Sequence, residues 1–406
     1  MPWTLKIKHL DLVGSGDATL FIAQELDSNY PPNVLQTRSM LVDGGHLFNN
    51  RDVHHEVTTV ENLTSLDVVV ATHYDQDHFN GVRGLMERSH VAYRYSRIYD
   101  QGLPQYALGV KRKRGGANYL SLGGAISEDV LRYFRAIARV NTRTHVTEKV
   151  LSLQEGVGGV PTGYGYESPY YLLGREIFWD GVPGGVPNGA PTATVVAVNL
   201  YVLQPNGTRQ KLYGGGVLTS TSEAAKNERS IGLLIEFEGF KYYVGGDLTT
   251  AQEDHDQYGL KFRLNPTNDI AGRVHAFKTS HHGSQYSTST PFMTRIRSRA
   301  AIISCARDNQ HGHPDDATIA RLNGDATLAN YYLTGDQYQR GFTNARARVC
   351  GNSAQHGDVV LDVTTAQARN NPTQFSIRYG RPAAGNNPYD GTPFNEIPYY
   401  QYVQNF

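Results

Sequence analysis

Thr72-His73-Tyr74-Asp75-Gln76-Asp77-His78-Phe79-Asn80-Gly81 places two imidazoles and two carboxylates within six residues. Just before it, Asp67-Val68-Val69-Val70-Ala71-Thr72 is a β-branched apolar run too short for a helix, and it reads as a buried strand. Just after it, Phe79 to Ser89 has helical spacing. A regular strand sends neighbouring side chains to opposite faces, whereas a turn leaving a strand end can aim them at one locus. A lone histidine or aspartate there would ordinarily be a solvated loop residue. Four of them between a buried strand and a helix point to a metal site.

Two other strand ends repeat this layout. Ile231 to Phe237, a Glu238-Gly239 turn and Phe240 to Val244 read as a β-hairpin that stops at Gly245-Gly246-Asp247. Ala276-Phe277-Lys278-Thr279 reads as a strand that runs into Ser280-His281-His282-Gly283-Ser284. Alone, Gly246-Asp247 is more often a turn, and a histidine pair is only moderate evidence. Three such clusters in one chain reinforce one another. Upstream, Leu5 to Leu12, Ala18 to Ala23 and Met40-Leu41-Val42-Asp43 read as strands joined by turns, the last ending in Gly44-Gly45. Downstream come a short strand at Ala300 to Ser304, a helix at Asp316 to Leu322, and an antiparallel pair from Asp358 to Val363 and Phe375 to Tyr379. The aromatic tail Tyr399 to Phe406 reads as either a docked strand or a self-association edge.

Composition bounds the rest. The 406 residues hold 38 Lys+Arg against 38 Asp+Glu, a formal net charge of zero. That excludes a broadly basic nucleic-acid coat or polybasic membrane-surface protein, which needs a lasting positive excess. The clear basic block is Lys111-Arg112-Lys113-Arg114, read either as a phosphate-contacting rim or as a solvated loop. Only Cys305 and Cys350 occur, so neither a disulfide framework nor a thiolate zinc cage organises the chain. No run approaches 18 uninterrupted apolar residues, so a cytoplasmic protein without a membrane partner is expected. Apolar residues at 39% suffice for a large core. One α/β domain is expected over 1–365. Within it, roughly 100–225 is read as a Gly-, Pro- and Tyr-rich elaboration over the site, where Ser127 caps a helix that aligns Val130, Leu131, Phe134, Ile137 and Ala138. Residues 366–406 are read as a strand and tail packed on the same domain.

The order of motifs resembles the metallo-β-lactamase fold, in the form of the ComEC-type competence hydrolase domain and its stand-alone relatives. Asp11-Leu12-Val13-Gly14-Ser15-Gly16-Asp17-Ala18 is similar to that group's LDVGQGDA, and Leu41-Val42-Asp43-Gly44-Gly45 to its strand-end aspartate. His73 to His78 is similar to HxDxDH, Gly246-Asp247 to GD, Ser280 to Ser284 to HHGS, and Asn309-Gln310-His311-Gly312-His313-Pro314 to N-x-YGHP. The matches run from about residue 5 to 325.

The resemblance implies an αββα sandwich with one or two divalent ions, Zn²⁺ or Mn²⁺, between two sheets. His73 and Asp75 would serve one subsite, Asp77 and His78 the other, and Asp247 would bridge them. His282 would complete the second subsite, with His281 on substrate, although either histidine of the pair suits the ligand role. Asp43 would orient a ligand without binding metal. Asp77 would share the general-base role, His281 and His313 would be candidate proton donors, and Lys278, Ser284 and Asn309 would contact a phosphodiester together with residues 111–114. The sequence departs from the commonest form of the fold at two points. Asp75 stands where a histidine is usual, and Asn227-Glu228-Arg229-Ser230 replaces a segment that usually supplies another. The first subsite is therefore expected to be oxygen-rich. The implied activity is a metal-dependent phosphodiesterase or nuclease acting on DNA, RNA or a nucleotide. The alternatives are an acyl or lactone hydrolase on the same centre, or a weakened binding or toxin-delivery module.

Overall fold

Val68 and Val70 pack into one hydrophobic cluster while Val69 and Ala71 pack into another. This run is therefore buried on both faces, as a strand flanked by layers must be. The computed structural model describes residues 3–12, 16–27, 33–88, 94–101, 108–112, 118–122, 129, 130, 132, 133, 136, 137, 172–212, 227–305, 311–335, 346–350, 357–364, 375–379 and 402–404. In chain order the strands begin with Trp3–His9 (β1), Thr19–Leu26 (β2), Val34–Val42 (β3), Ser65–Val70 (β4), Arg94–Tyr99 (β5), Leu108–Arg112 (β6) and Asn118–Leu122 (β7). Next come Thr192–Val198 (β8), Tyr201–Leu203 (β9), Arg209–Lys211 (β10), Gly232–Phe237 (β11), Phe240–Val244 (β12), Ala276–Lys278 (β13), Ala300–Ile303 (β14), Asn330–Leu333 (β15) and Ala347–Val349 (β16). Val359–Thr364 (β17), Phe375–Tyr379 (β18) and Tyr402–Gln404 (β19) complete the set.

The first sheet has the order β19-β18-β17-β1-β2-β3-β4-β5, the second β10-β9-β8-β11-β12-β13-β14-β15-β16, and β6 pairs with β7. Phe21 of the first sheet meets Tyr242 of the second, with ring centroids 6.2 Å apart. The next residue, Tyr243, points the other way, onto Phe292 of the helix Thr290–Ile296. On the far side of the first sheet, Phe79, Val82, Leu85 and Met86 of the helix Gln76–Arg88 pack with Leu20, Leu41 and Val69. The layers are thus helix, sheet, sheet, helix, the α/β sandwich that the motif order implies.

Each sheet changes from antiparallel to parallel partway across, so that β3 to β5 are parallel and so are β12 to β16. Parallel neighbours bring their carboxyl ends to a common edge, the edge where open α/β sheets bind ligands. Asp43, His73, Asp247, the pair His281-His282 and Ser304 all follow such ends.

The strands expected around the motifs are present, and Asp316–Gly324 is helical. The chain end docks as β19 on β18. The interval read as an elaboration differs from that reading in part. Residues Thr192–Lys211 supply β8 to β10, and β8 pairs with β11 at the heart of the second sheet. β9 and β10 have only three residues each, and β8 stands among glycine and proline turns, which masks them in the sequence. Val130 and Ile137 are buried with Tyr133 and Ala136; Leu131 and Phe134 lie outside the described residues, as do Ser127 and all of 138–171. Among the described residues, no helix is long and apolar enough to cross a membrane.

One consequence of the packing is pH dependence away from the site. His275 is buried, and its Nδ1 accepts the Lys241 N–H at 3.1 Å. Burial pushes its pKa down to about 3, assisted by Arg273 and Lys241. An unfolded histidine titrates near 6.5, so as pH falls below that value only the unfolded state gains a proton and stability drops until the folded pKa is reached. Between pH 7 and 5 this one residue should cost about 2 kcal/mol. Denaturant unfolding at both pH values should show His275→Asn losing less stability across that interval than the wild type.

Candidate metal centre

The approach of the helix Gln76–Arg88 to the end of β3 is set by glycine. A Cβ on Gly81 would stand 1.6 Å from the Gly44 carbonyl oxygen, and the Gly81 N–H donates to Gly45 O at 2.7 Å. This close contact seats Asp43 beside His78. Asp43 adopts a left-handed backbone, φ 60°, and its Oδ1 accepts the Thr72 N–H at 2.8 Å. Its Oδ2 accepts the Thr72 hydroxyl at 2.7 Å and lies 2.9 Å from His78 Nδ1. A carboxylate on one ring nitrogen fixes the tautomer and leaves the other nitrogen free to ligate.

His78 Nε2 consequently faces the donors of the second sheet. It lies 3.3 Å from Asp247 Oδ1 and 3.1 Å from His282 Nε2. His282 Nε2 lies 3.3 Å from Asp77 Oδ2, while its Nδ1 is 2.9 Å from the Ser304 carbonyl, which orients that ring in the same way. His73 Nε2 stands 3.6 Å from Asp75 Oδ2 and 3.7 Å from Asp247 Oδ2. His281 Nε2 is 3.8 Å from Asp247 Oδ2. Adjacent side chains reach one carboxylate because His281 and His282 are both left-handed, φ 49° and 51°, ahead of Gly283 at φ 80°. The Asp247 backbone is held by its N–H donating to Ser230 Oγ at 3.1 Å. Asn227 Nδ2 lies 3.4 Å from His281 Nε2. The segment Asn227 to Ser230 thus contributes an anchor and an amide.

Two triads of donors lie close enough to share an ion: His73, His78 and Asp247, and Asp77, His78 and His282. Tetrahedral ligands about 2.1 Å from an ion are roughly 3.4 Å from one another, which the separations above approach. His73 Nε2 and Asp247 Oδ1 are buried and make no hydrogen bond, a state that native structures rarely tolerate unless a ligand completes it. The residues present therefore fit a divalent ion.

The charges agree. Burial opposes charging of His78, but Asp247, Asp43 and Asp77 outweigh it and hold its pKa well above the usual histidine value. Burial also opposes ionisation of Asp247, and the surrounding histidines overcome it, keeping that carboxyl far below the usual range. Asp77 is shifted downward in the same way, by His78 and His282 against burial. Burial moves His313 the other way, down to about 4, with His282 and His281 adding to the effect.

The structure brings His73, Asp75, Asp77, His78, Asp247 and His282 together, with Asp43 behind them. Between the paired histidines, it is His282 that joins a donor triad. His281 sits at the mouth, its side chain 24% exposed, and its ring lies 5.3 Å from that of His313. Both histidines have lowered pKa values, burial being the main cause. The downward shift favours the neutral form of both rings, which carries one N–H.

Two expected substrate contacts are placed differently. Lys278 is fully buried, with Nζ 2.5 Å from Asp17 Oδ2, so its ammonium is committed inside the protein. Ser284 is buried in its own turn, where its carbonyl accepts from the Ser287 and Thr318 hydroxyls. The Lys278 side chain turns inward at the end of its strand, and the Ser284 hydroxyl accepts the Tyr286 N–H at 3.4 Å, neither of which adjacency in sequence reveals. Asn309, Lys113 and Arg114 lie outside the described residues, and of Lys111 and Arg112 only the backbone, at the end of β6, is described. Asp17 is the residue that sequence reasoning left unassigned. Its signal was an aspartate between Gly16 and Ala18 at the head of an apolar strand.

No family model matches the chain. Over 99 residues, 24% of this chain, it is 29% identical to ComE operon protein 3 of Bacillus subtilis (strain 168), and the match spans 12% of that protein's length. Among solved structures it is similar to human short-form tRNase Z, at 12% identity and a TM-score of 0.37, covering 75% of this chain and 93% of that one. It is also similar to CmlA, a diiron β-hydroxylase from Streptomyces venezuelae, at 12% identity and a TM-score of 0.32, covering 78% of this chain and 49% of that one. The α/β class itself rests on the two sheets and their flanking helices.

Proposed function

We propose that this protein is a metal-dependent hydrolase whose substrate is a phosphodiester in DNA, RNA or a nucleotide. The observation that carries the metal-dependent part is the convergence of five donors: His73, Asp247 and His282 from turns that follow strands of both sheets, and Asp77 and His78 from the first turn of the helix Gln76–Arg88. The phosphodiester part is supported by the motif order shared with ComEC-type domains and by a donor set rich in carboxylates, Asp75 included. Such a set suits Zn²⁺ or Mn²⁺. A divalent ion held there supplies Lewis acidity, an acidified water as nucleophile and positive charge against a leaving oxygen.

The chain's own residues do the rest. Asp43 and the Ser304 carbonyl hold the rings of His78 and His282 so that each Nε2 faces the centre. Asp77, kept ionised, accepts a hydrogen bond from water and orients it. His281 and His313 present neutral N–H groups at the mouth, where a leaving oxygen would depart. A protein loaded with Mn²⁺ or Zn²⁺ should hydrolyse bis-p-nitrophenyl phosphate and single- or double-stranded DNA, lose that activity on chelation and regain it with metal. Turnover of nitrocefin alone would overturn the phosphodiester reading. A protein that takes up no metal would overturn the whole proposal.

A further inference from the structure

Behind the two ion-facing triads lies a third, Asp17, Asp43 and His78, all buried. Here the neighbouring cation is the protein's own: Lys278 Nζ stands 2.5 Å from Asp17 Oδ2. The pair joins the sheets, since Asp17 leads into β2 while Lys278 ends β13. Lys278 Nζ also lies 3.5 Å from the carbonyl of Gly246, next to Asp247. After Asp17, the carboxylates that act on this ammonium are Asp247 and Asp43, one a proposed ligand and the other the group that orients His78. Asp17 itself is held in place by its backbone, for its N–H donates to Asp77 O at 3.0 Å and its carbonyl accepts from Gly45 N–H at 2.9 Å.

We infer that Asp17 is a positioning residue of the metal centre: it holds the Lys278 ammonium at the back of the site and so keeps that cation off Asp247 and Asp43. This rests on the metal-centre reading above. A buried ammonium seeks the nearest carboxylate, because leaving it unpaired in the interior is costly. Without the Asp17 charge, the ammonium turns to Asp247 and Asp43. There it competes directly with an ion for the one and disturbs the histidine held by the other.

The test is a mutant cycle read by metal affinity, with Mn²⁺ and Zn²⁺ titrated against a fluorescent chelator and folding followed by circular dichroism. Asp17→Asn preserves size and should bind metal at least tenfold more weakly than the wild type, the scale typical of residues that support ligands. Removing the ammonium in that background, as D17N/K278M or D17N/K278Q, should restore affinity to within a few fold of wild type. A purely structural role for Asp17 gives no such rescue. Wild-type affinity in Asp17→Asn, or a loss that neither double variant restores, overturns the inference and leaves the proposed function standing. A wild-type protein that binds neither metal overturns both.

Discussion

Asp247→Ala should lower phosphodiester hydrolysis by on the order of a thousandfold, the equivalent of the several kcal/mol that a well-held ion contributes, and should abolish tight metal binding while the protein remains folded. Asp247 faces histidines of both triads. Its two carboxylate oxygens lie 3.3 to 3.8 Å from imidazole nitrogens of His73, His78, His281 and His282. It is also the largest charge acting on His78 and on His282. Without it, the facing imidazoles have lost the negative charge that draws a cation among them. The backbone there stays anchored through Ser230 Oγ and through the Leu248 N–H donating to Gly245 O, so loss of the carboxylate need not undo the turn. Asp247→Asn keeps a carbonyl oxygen without the charge and should fall between the two. Affinity measured by chelator competition, beside thermal unfolding, checks the prediction. Tight binding retained by Asp247→Ala would remove this residue from the centre.

Asp43→Asn should weaken metal binding by about 10- to 100-fold, as loss of a ligand's supporting partner typically does, although Asp43 faces His78 from behind. Asparagine tolerates the left-handed backbone at this position, so the fold should survive. The effect runs through a proton. Asp43 Oδ1 accepts the Thr72 N–H, and Oδ2 faces the Thr72 hydroxyl and His78 Nδ1. With the amide oxygen kept on the Thr72 N–H, the new NH₂ group points at His78 Nδ1 and makes it an acceptor. The ring proton then moves to Nε2, the nitrogen aimed at Asp247 and His282, and that nitrogen has no lone pair left for an ion. Imidazole nitrogen chemical shifts should show the change of tautomer directly. An unchanged tautomer together with unchanged affinity would contradict the role given to Asp43.

Local features of the chain translated directly into structure. Runs such as Val68-Val69-Val70-Ala71 became doubly buried strands because their apolarity is continuous, and the polar clusters after them became strand-end turns. The strands β8 to β10 were less legible because two of them have only three residues and all stand among glycine and proline turns that resemble loops. The choice between His281 and His282 was closed to sequence for a different reason. Both reach Asp247 through successive left-handed residues, and what separates them is the Ser304 carbonyl on His282 Nδ1, a contact from another strand. Lys278 shows the same limit from the other side. As a cation beside a histidine motif it reads as a phosphate contact, yet its strand directs it inward to Asp17.

The amino-acid sequence by itself determined which side chains can hold an ion and at which strand ends they stand, because ligand type and turn chemistry are written locally. It also excluded cysteine as the organising ligand and broad positive charge as the means of holding a substrate. The tertiary structure alone decided which donors face one another, which histidine of the pair is oriented as a ligand, and where the buried ammonium is held. Those depend on how the parallel ends of two sheets meet across a common edge, and contacts between distant segments leave no local pattern in the chain.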